Sequence, residues 1–341
     1  MMITISPLCT TQSIFNATLG GVSLGLLCAS HLHSTGKVLP SSSFASPLLT
    51  LGMVLGGYTV FLFHNEDAVE WNGSITSIVD KSLSLFPLHT TLLASIFIGA
   101  GSRLGRGCTS GNGIQGISSL SLASLAHVVT FMIFGVATAT VLNTSQFLLR
   151  NKLAIAISVA ASSSTPPTLH LPPTHLLLLS LIPSLLNFSS KKKSKSPPNK
   201  FFQLLTGMSF ASSLTIANMI SPTRVVTFLQ PFSGEFGWDP SLMFVMVGAI
   251  ATTMVCYYIG GVEKSGGEDF AKWRSRKTDM KTLLGGALFG IGWGMCGICP
   301  GPGLTNVGFA EVNAIVWVGG LVTSGQVVQF ILGKQSNDKL Q

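Results

Sequence analysis

Two short glycine-rich segments contain the residues most able to bind a ligand. The first reads Gly-Arg-Gly-Cys-Thr-Ser-Gly-Asn-Gly over 105–113, and the second reads Gly-Met-Cys-Gly-Ile-Cys-Pro-Gly-Pro-Gly over 294–303. A cysteine thiol is polarizable and is a weak S–H donor. Backbone N–H groups at the start of a helix, together with the helix dipole, attract anions. The two segments therefore predict a site for a small sulfur-containing anion.

Each segment is expected to precede a helix whose N-terminus points into the protein. Irregular backbone at membrane depth is tolerated only inside protein or beside a polar cavity. Proline lacks an amide donor but fits the first turn of a helix. The predicted substrate-binding residues are Gly107, Cys108, Thr109, Ser110 and Gly111 in the first segment, and Cys299, Pro300 and Gly301 in the second.

Cys296 and Cys299 also form a C-x-x-C motif, which could support redox chemistry. A membrane thiol oxidoreductase using this pair is therefore the alternative function, and a membrane scaffold without transport is a third. No βαβ pattern surrounds the motif, and no second cysteine pair or histidine pair completes a zinc site. We expect no metal, no cofactor and no enzymatic activity.

The composition predicts that these segments lie in an integral membrane protein. Charged residues are 9% of the chain, apolar residues are 47%, and the mean hydropathy is +0.54. Soluble domains have about 25% charged residues. A span needs roughly 20 apolar residues and has to be helical. Eight candidate spans fit: 14–32, 45–63, 88–104, 122–142, 201–219, 240–260, 281–297 and 314–332.

The net charge of +8 indicates membrane orientation rather than binding to nucleic acid. Half of the Lys and Arg residues lie in 191–200 and 272–281, which are connections beside spans, as the positive-inside rule expects. By that rule 143–200 and 262–281 are predicted to be cytoplasmic, and the acidic connection 64–82 is predicted to be external. Residues 83–142 would then cross the membrane a net odd number of times, with a break in the first glycine-rich segment.

The chain contains an internal repeat with an offset of 191 residues. At this offset Thr-Leu-Leu at 91–93 matches 282–284, and Cys108 matches Cys299. Because the equivalent connections differ in charge, the copies are predicted to be inverted, as in many transporters. We expect an all-α polytopic membrane protein with a first repeat (1–142), a Ser/Pro/Lys-rich and partly disordered connection (143–200) and a second repeat (201–341). Re-entrant Gly/Cys loops of the two repeats would meet near the bilayer midplane.

Both segments resemble motifs of the YeeE/YedE sulphur-transport family. The first motif of that family is close to G-C-T-S-G-H-G and is similar to 107–113. The second is similar to Phe-Gly-Ile-Gly-Trp-Gly at 289–294 followed by Cys-Pro-Gly-Pro at 299–302, and 238–242 looks like the intervening segment. The likeness covers nearly the whole chain outside 143–200. Asn112 stands where histidine is usual.

The resemblance implies thiosulfate uptake through an hourglass of inverted repeats. It implies that Cys108 and Cys299 hand the ion across a central constriction. The expected partners are a small inorganic sulfur anion such as thiosulfate, the lipid bilayer and a sulfur-carrier protein on the cytoplasmic side, with no nucleic acid. The expected location is the plasma membrane.

Overall fold

The computed structural model describes residues 9–39, 46–62, 86–144, 174–189, 200–232, 237–262 and 267–338, together with 5, 6, 172 and 264. These residues form helices and no strand; Ile5 and Trp238 make an isolated β-bridge. The helices are α1 Thr11–Thr35, α2 Pro47–Leu62, α3 Leu88–Leu104, π1 Thr109–Gly116, α4 Leu122–Thr144, α5 Thr174–Ser189, α6 Lys200–Ile216, α7 Pro222–Phe228, α8 Ser241–Met254, π2 Val255–Ile259, α9 Gly267–Arg274, α10 Met280–Cys296, α11 Pro300–Gly308 and α12 Val312–Asp338.

The protein is an all-α polytopic membrane protein, as the composition predicts. Within the described residues, five helical stretches are long and apolar enough to cross a membrane: Thr11–Thr35, Leu122–Leu142, Ser241–Ile259, Met280–Gly308 and Val312–Gly333. The predicted spans 45–63, 88–104 and 201–219 coincide with α2, α3 and α6, which have 16 or 17 residues. At 1.5 Å per residue these shorter helices are about 25 Å long.

Local signals set the bounds of α10, the helix that leads to the second glycine-rich segment. The Asp279 carboxylate accepts hydrogen bonds from the Thr282 amide (2.8 Å) and the Thr282 hydroxyl (2.6 Å), which caps the first turn. Gly297, at φ 67°, ends the helix in the left-handed conformation that glycine adopts without strain. The chain is therefore free to turn at Gly297, two residues before Cys299.

The helices run between two ends of a bundle, which we name the Met280 end, where α10 begins, and the Leu88 end, where α3 begins. At the Met280 end, the Nδ1 atom of His127, near the start of α4, lies 3.0 Å from the Thr282 carbonyl oxygen. At the Leu88 end, the Asn313 side chain donates to the carbonyl of Phe86 at 3.2 Å, so α12 begins beside α3. It follows that α3 and α12 run one way and α4 and α10 run the other way.

The long helices of residues 9–144 pack against those of residues 200–338 in a reciprocal pattern. α3 packs on α12, and α10 packs on α4; α1 packs on α8, and α2 packs on α6. The short helices follow the same rule, because π1 contacts α8 and α11 contacts α2. Each helix that follows a glycine-rich segment is therefore held by the other half of the chain as well as by its own.

Helix α5 differs from the sequence-based expectation. Its Phe188 ring lies 5.8 Å from the ring of His33 in the last turn of α1. The carbonyl of Ser180, near the middle of α5, accepts a hydrogen bond from Ser209 of α6. α5 therefore lies among the long helices and runs from the Leu88 end to the Met280 end, although it contains Pro183.

The predicted odd number of crossings in residues 83–142 is wrong. α3 and α4 run in opposite directions, so residues 86–144 begin and finish at the Leu88 end. Helix α5 makes a further crossing of the bundle within 143–200, the connection that the positive-inside rule assigned wholly to the cytoplasm. A span of 16 residues containing proline is tolerated because neighbouring helices can satisfy the freed backbone groups. The connection 64–82 and most of the rest of 143–200 lie outside the described residues.

Glycines set how closely α3 and α10 approach each other. A Cβ atom added to Gly285 would lie 2.3 Å from the backbone nitrogen of Gly105, whereas one added to Gly319 on α12 would meet nothing within 4 Å. We expect Gly285→Ala to reduce the stability of the folded protein by about 1–3 kcal/mol, because backbone has to move. Thermal unfolding of purified protein in detergent measures this. Gly319→Ala is the control, and equal midpoints for the two variants would show that this contact is unimportant.

The direction of α5 predicts the sides of the membrane on which two exposed residues lie. Thr174 begins α5 at the Leu88 end, and Ser275 follows α9 at the Met280 end. The lysine run between Ser189 and Lys200 places the Met280 end in the cytoplasm by the positive-inside rule. In a background with Cys9 and Cys256 replaced by serine, Thr174→Cys should react with a membrane-impermeant maleimide in intact cells, and Ser275→Cys only after lysis. Labelling of both from outside would contradict this path of the chain.

Candidate functional site

The two glycine-rich segments turn back into the bundle and meet there. α3 and α10 are antiparallel neighbours, with Gly105 beside Gly285. Cys296 lies eleven residues farther along α10, which is about 16 Å along the helix axis. Yet the residues that follow these two helix ends are in contact: the Thr109 hydroxyl donates to the Cys299 thiol at 3.5 Å. Both segments therefore return toward the middle from opposite ends.

Cys108 and Cys299 occupy the same position in the two halves. Each is the N-cap residue of the helix that follows, with extended backbone at φ −99° for Cys108 and φ −95° for Cys299. Both side chains are buried. The Cys108 thiol lies 3.1 Å from the Ser110 hydroxyl, where either group could donate. The structure thus brings together the two cysteines that the repeat pairs, with Thr109 between the halves.

The two helix starts differ in how many backbone amides precede the first hydrogen bond within the helix. In π1 the first amide bonded within the helix is that of Asn112, to the Cys108 carbonyl at 2.8 Å. The amides of Thr109, Ser110 and Gly111 precede that bond. In α11 the first such bond is from Gly303 to the Cys299 carbonyl. Because residues 300 and 302 are prolines, Gly301 supplies the sole amide ahead of it. The prediction of two equivalent helix starts did not include this asymmetry.

The π-helical form of the first short helix has a simple cause. One residue more separates Cys108 from Leu120 than separates Cys299 from Ala310, and Leu120 and Ala310 are the matching residues of positive φ that precede α4 and α12. A π-helix accommodates one additional residue per turn. The first copy is therefore π-helical and the second is α-helical, although both start at a cysteine.

Gly111 faces open space, unlike two other predicted site glycines. A Cβ atom added to Gly111 would meet nothing within 4 Å. One added to Gly107 would lie 2.8 Å from the Asn112 side chain, and one added to Gly301 would lie 2.7 Å from the Phe210 ring. Gly107 and Gly301 thus allow close packing, whereas Gly111 borders open space.

Two side-chain amides that sequence reasoning missed hold the short helices in place. The Gln115 side chain exchanges hydrogen bonds with the backbone of Leu39, receiving one at 3.0 Å and donating one at 3.3 Å. The Asn306 side chain donates to the carbonyl of Ile220 at 3.1 Å. Gln115 and Asn306 are 191 residues apart, so extending the repeat comparison beyond the cysteines identifies them.

The other thiols have different surroundings. Cys296 donates to the carbonyl of Gly292 in its own helix at 3.6 Å, so its thiol and that of Cys299 have separate partners. Cys28 of α1 is buried in the same hydrophobic core as Cys108. All six cysteines are free thiols. The structure thus adds Cys28 to the core that contains Cys108.

Comparison with known proteins adds a family match and several relatives. Residues 200–339, which include α6 to α12, match a family described as a family of unknown function (DUF6691). A "probable transporter" of Xylella fastidiosa strain Temecula1 is 31% identical over 127 residues, which are 37% of this chain and 84% of the relative. A "probable transporter" of strain 9a5c is 35% identical over 106 residues, 30% of this chain and 71% of the relative.

A further "probable transporter" of strain Temecula1 is 32% identical over 142 residues, 38% of this chain and 94% of the relative. The match spans 38% of this chain and nearly all of that relative, so the relative is less than half as long as this chain. The names of these relatives support membrane transport in general. The chain belongs to the transporter family of which these Xylella fastidiosa proteins are members.

Proposed function

We propose that this membrane transporter takes up thiosulfate, or a related small sulfur-containing anion, through a central pathway lined by Cys108 and Cys299. The contact between Thr109 and the Cys299 thiol carries the proposal, because it joins two helix starts from opposite halves inside the bundle. An anion there would lie near two thiols and near the positive ends of two helix dipoles. Soft S–H groups and backbone amides suit a sulfur oxyanion.

The proposed pathway runs between two inverted repeats, 1–142 and 201–341. Reciprocal packing of α3 on α12 and of α10 on α4 supports this division, as do the opposite directions of equivalent helices. The half-length relatives also support it, since each matches an extent close to one repeat. The cysteines would then be near the bilayer midplane, where inverted-repeat transporters bind their substrates.

The site residues have distinct proposed roles. Cys108 and Cys299 contact the anion, and the amides of Thr109, Ser110, Gly111 and Gly301 orient it. Gly107 and Pro300 shape the two turns. With the Met280 end in the cytoplasm of a plasma membrane, substrate would enter from the Leu88 end. A sulfur-carrier protein receiving the anion in the cytoplasm remains a prediction.

The thiol oxidoreductase is the competing function. It needs Cys296 and Cys299 to form a disulfide, so loss of either sulfur would abolish it equally. The separate partners of the two thiols favour transport, because Cys296 bonds within α10 and Cys299 contacts the other half.

Growth on thiosulfate is the direct test of substrate and direction. A bacterial strain that cannot take up thiosulfate or sulfate should grow on thiosulfate as its sole sulfur source when it expresses this protein. The same strain with an empty vector should not grow. Failure to grow, with the protein present in the membrane at normal levels, would exclude thiosulfate uptake.

The cysteines predict an ordered set of transport rates. Cys299→Ala and Cys108→Ala should each reduce initial thiosulfate uptake by about 10–150-fold, because a charge-assisted hydrogen bond worth roughly 1.5–3 kcal/mol is lost at the barrier. Cys296→Ala should retain uptake within a few-fold, and Cys256→Ala is a second control. Initial uptake rates, normalised to the amount of each variant in the membrane, distinguish transport from the oxidoreductase. Equal, severe loss in Cys296→Ala and Cys299→Ala would favour the oxidoreductase.

The open space at Gly111 predicts a variant that blocks transport without unfolding. Gly111→Leu should leave the thermal unfolding midpoint nearly unchanged and greatly reduce uptake, because the side chain enters open space three residues after Cys108 in the chain. Gly301→Leu should unfold at a clearly lower temperature, because Phe210 already occupies the position. Normal uptake by Gly111→Leu would mean that the anion does not pass this glycine.

A further inference from the structure

The connection between α9 and α10 places an arginine against the first cysteine helix. Arg276 donates from Nη2 to the side-chain oxygen of Asn112 at 2.8 Å. Asn112 is fully buried in π1, and its oxygen also accepts from the Ser124 hydroxyl at 3.0 Å. Arg276 therefore reaches from the Met280 end of the bundle to the interior.

Asn112 connects this arginine to the turn that carries Cys108. Its side-chain nitrogen donates to the Gly105 carbonyl at 3.2 Å, and its backbone amide donates to the Cys108 carbonyl. The same side chain packs against Gly107. The guanidinium thus lies one side chain away from the Gly105–Cys108 turn, on the cytoplasmic side of the proposed pathway.

Most of the hydrogen-bonding capacity of Arg276 is unused. Its Nε and Nη1 atoms are buried and have no acceptor among the residues that the structure describes. Leaving buried donors without a partner is costly, and more so on a charged group. Burial, and then the nearby charge of Arg106, lower the pKa of Arg276. An anion would relieve both penalties.

The nearest carboxylate is engaged elsewhere. Asp279 lies 3.6 Å from Arg106 and accepts two hydrogen bonds from Thr282. The hydroxyl bond from Thr282, and then the charges of Arg106 and Arg276, keep the pKa of Asp279 below its usual range. Asp279 therefore caps α10 as a carboxylate, and its ion pair within the described part of the chain is with Arg106 rather than with Arg276.

We propose that Arg276 forms a second anion-binding site at the Met280 end, where the Nε and Nη1 donors hold a small oxyanion that has left the cysteines. Arg106 adds positive charge, and Asn112 fixes the guanidinium beside the Cys108 turn. A planar guanidinium suits an oxyanion because it offers several fixed donors. Its role as an exit site rests on the proposed transport function, whereas anion binding itself does not.

Anion binding at Arg276 can be measured in a variant that lacks both site thiols. The full-length Cys108→Ala/Cys299→Ala variant is unfolded thermally in detergent, with sodium thiosulfate, sodium sulfate or sodium chloride at equal ionic strength. A ligand that binds the folded state raises the midpoint according to its concentration over Kd. We expect thiosulfate and sulfate to raise the midpoint above that in chloride, and added Arg276→Gln to weaken the apparent affinity about tenfold or more.

Arg274→Gln in the same background is the matched control, because Arg274 is exposed and two residues away. It should leave the oxyanion effect unchanged, and Arg276→Lys should retain part of it. No oxyanion effect in the double-cysteine variant, or an effect that survives Arg276→Gln, overturns the proposal.

Uptake measurements separate this inference from the proposed function. If wild-type protein transports thiosulfate but Arg276→Gln transports equally well, the exit role is wrong and the transport proposal stands. If the oxyanion effect depends on Arg276 but wild-type protein transports no thiosulfate, the anion site stands and the proposed substrate is wrong.

Discussion

Backbone donors at a helix start cannot rely on water inside a membrane protein, and both cysteine segments are arranged around this constraint. The first amides of π1 and α11 lie in the interior, where the two segments meet through Thr109 and Cys299. Because residues 300 and 302 are prolines, the second helix start has one amide ahead of its first hydrogen bond, whereas the first helix start has three. If the proposed site binds an anion, this difference between the two helix starts would make its two sides unequal.

Holding two helix starts in the interior requires support from both halves. The side-chain amides of Gln115 and Asn306 fasten the short helices to the segments after α1 and α6. Close glycine contacts, such as Gly285 with Gly105, bring α3 and α10 near enough for the segments to meet. Reciprocal packing then makes each short helix dependent on the opposite half, so the position of one cysteine is fixed by the other repeat.

Charge is distributed along the same axis as the proposed pathway. The interior offers thiols, hydroxyls and amides, which hold an anion without a full opposite charge. The Met280 end has Arg276, two of whose nitrogens have no acceptor among the described residues, and the nearby charge of Arg106. In the proposed pathway, a weak interior site followed by a charged one would let an anion leave in steps, since binding at each stage has to remain reversible for flux.

The sequence by itself determined the membrane class and the helical breaks, because hydropathy and glycine content are local properties, and its repeat offset predicted that Cys108 and Cys299 are equivalent. It also predicted that prolines begin the second short helix. Tertiary structure decided what depends on contacts between distant residues. α5 crosses the bundle because α1 and α6 cover it, which neither its length nor Pro183 could indicate. The joining of Thr109 to Cys299 and of Arg276 to Asn112 depends on antiparallel packing of α3 and α10, and no local pattern encodes which residues that packing brings together.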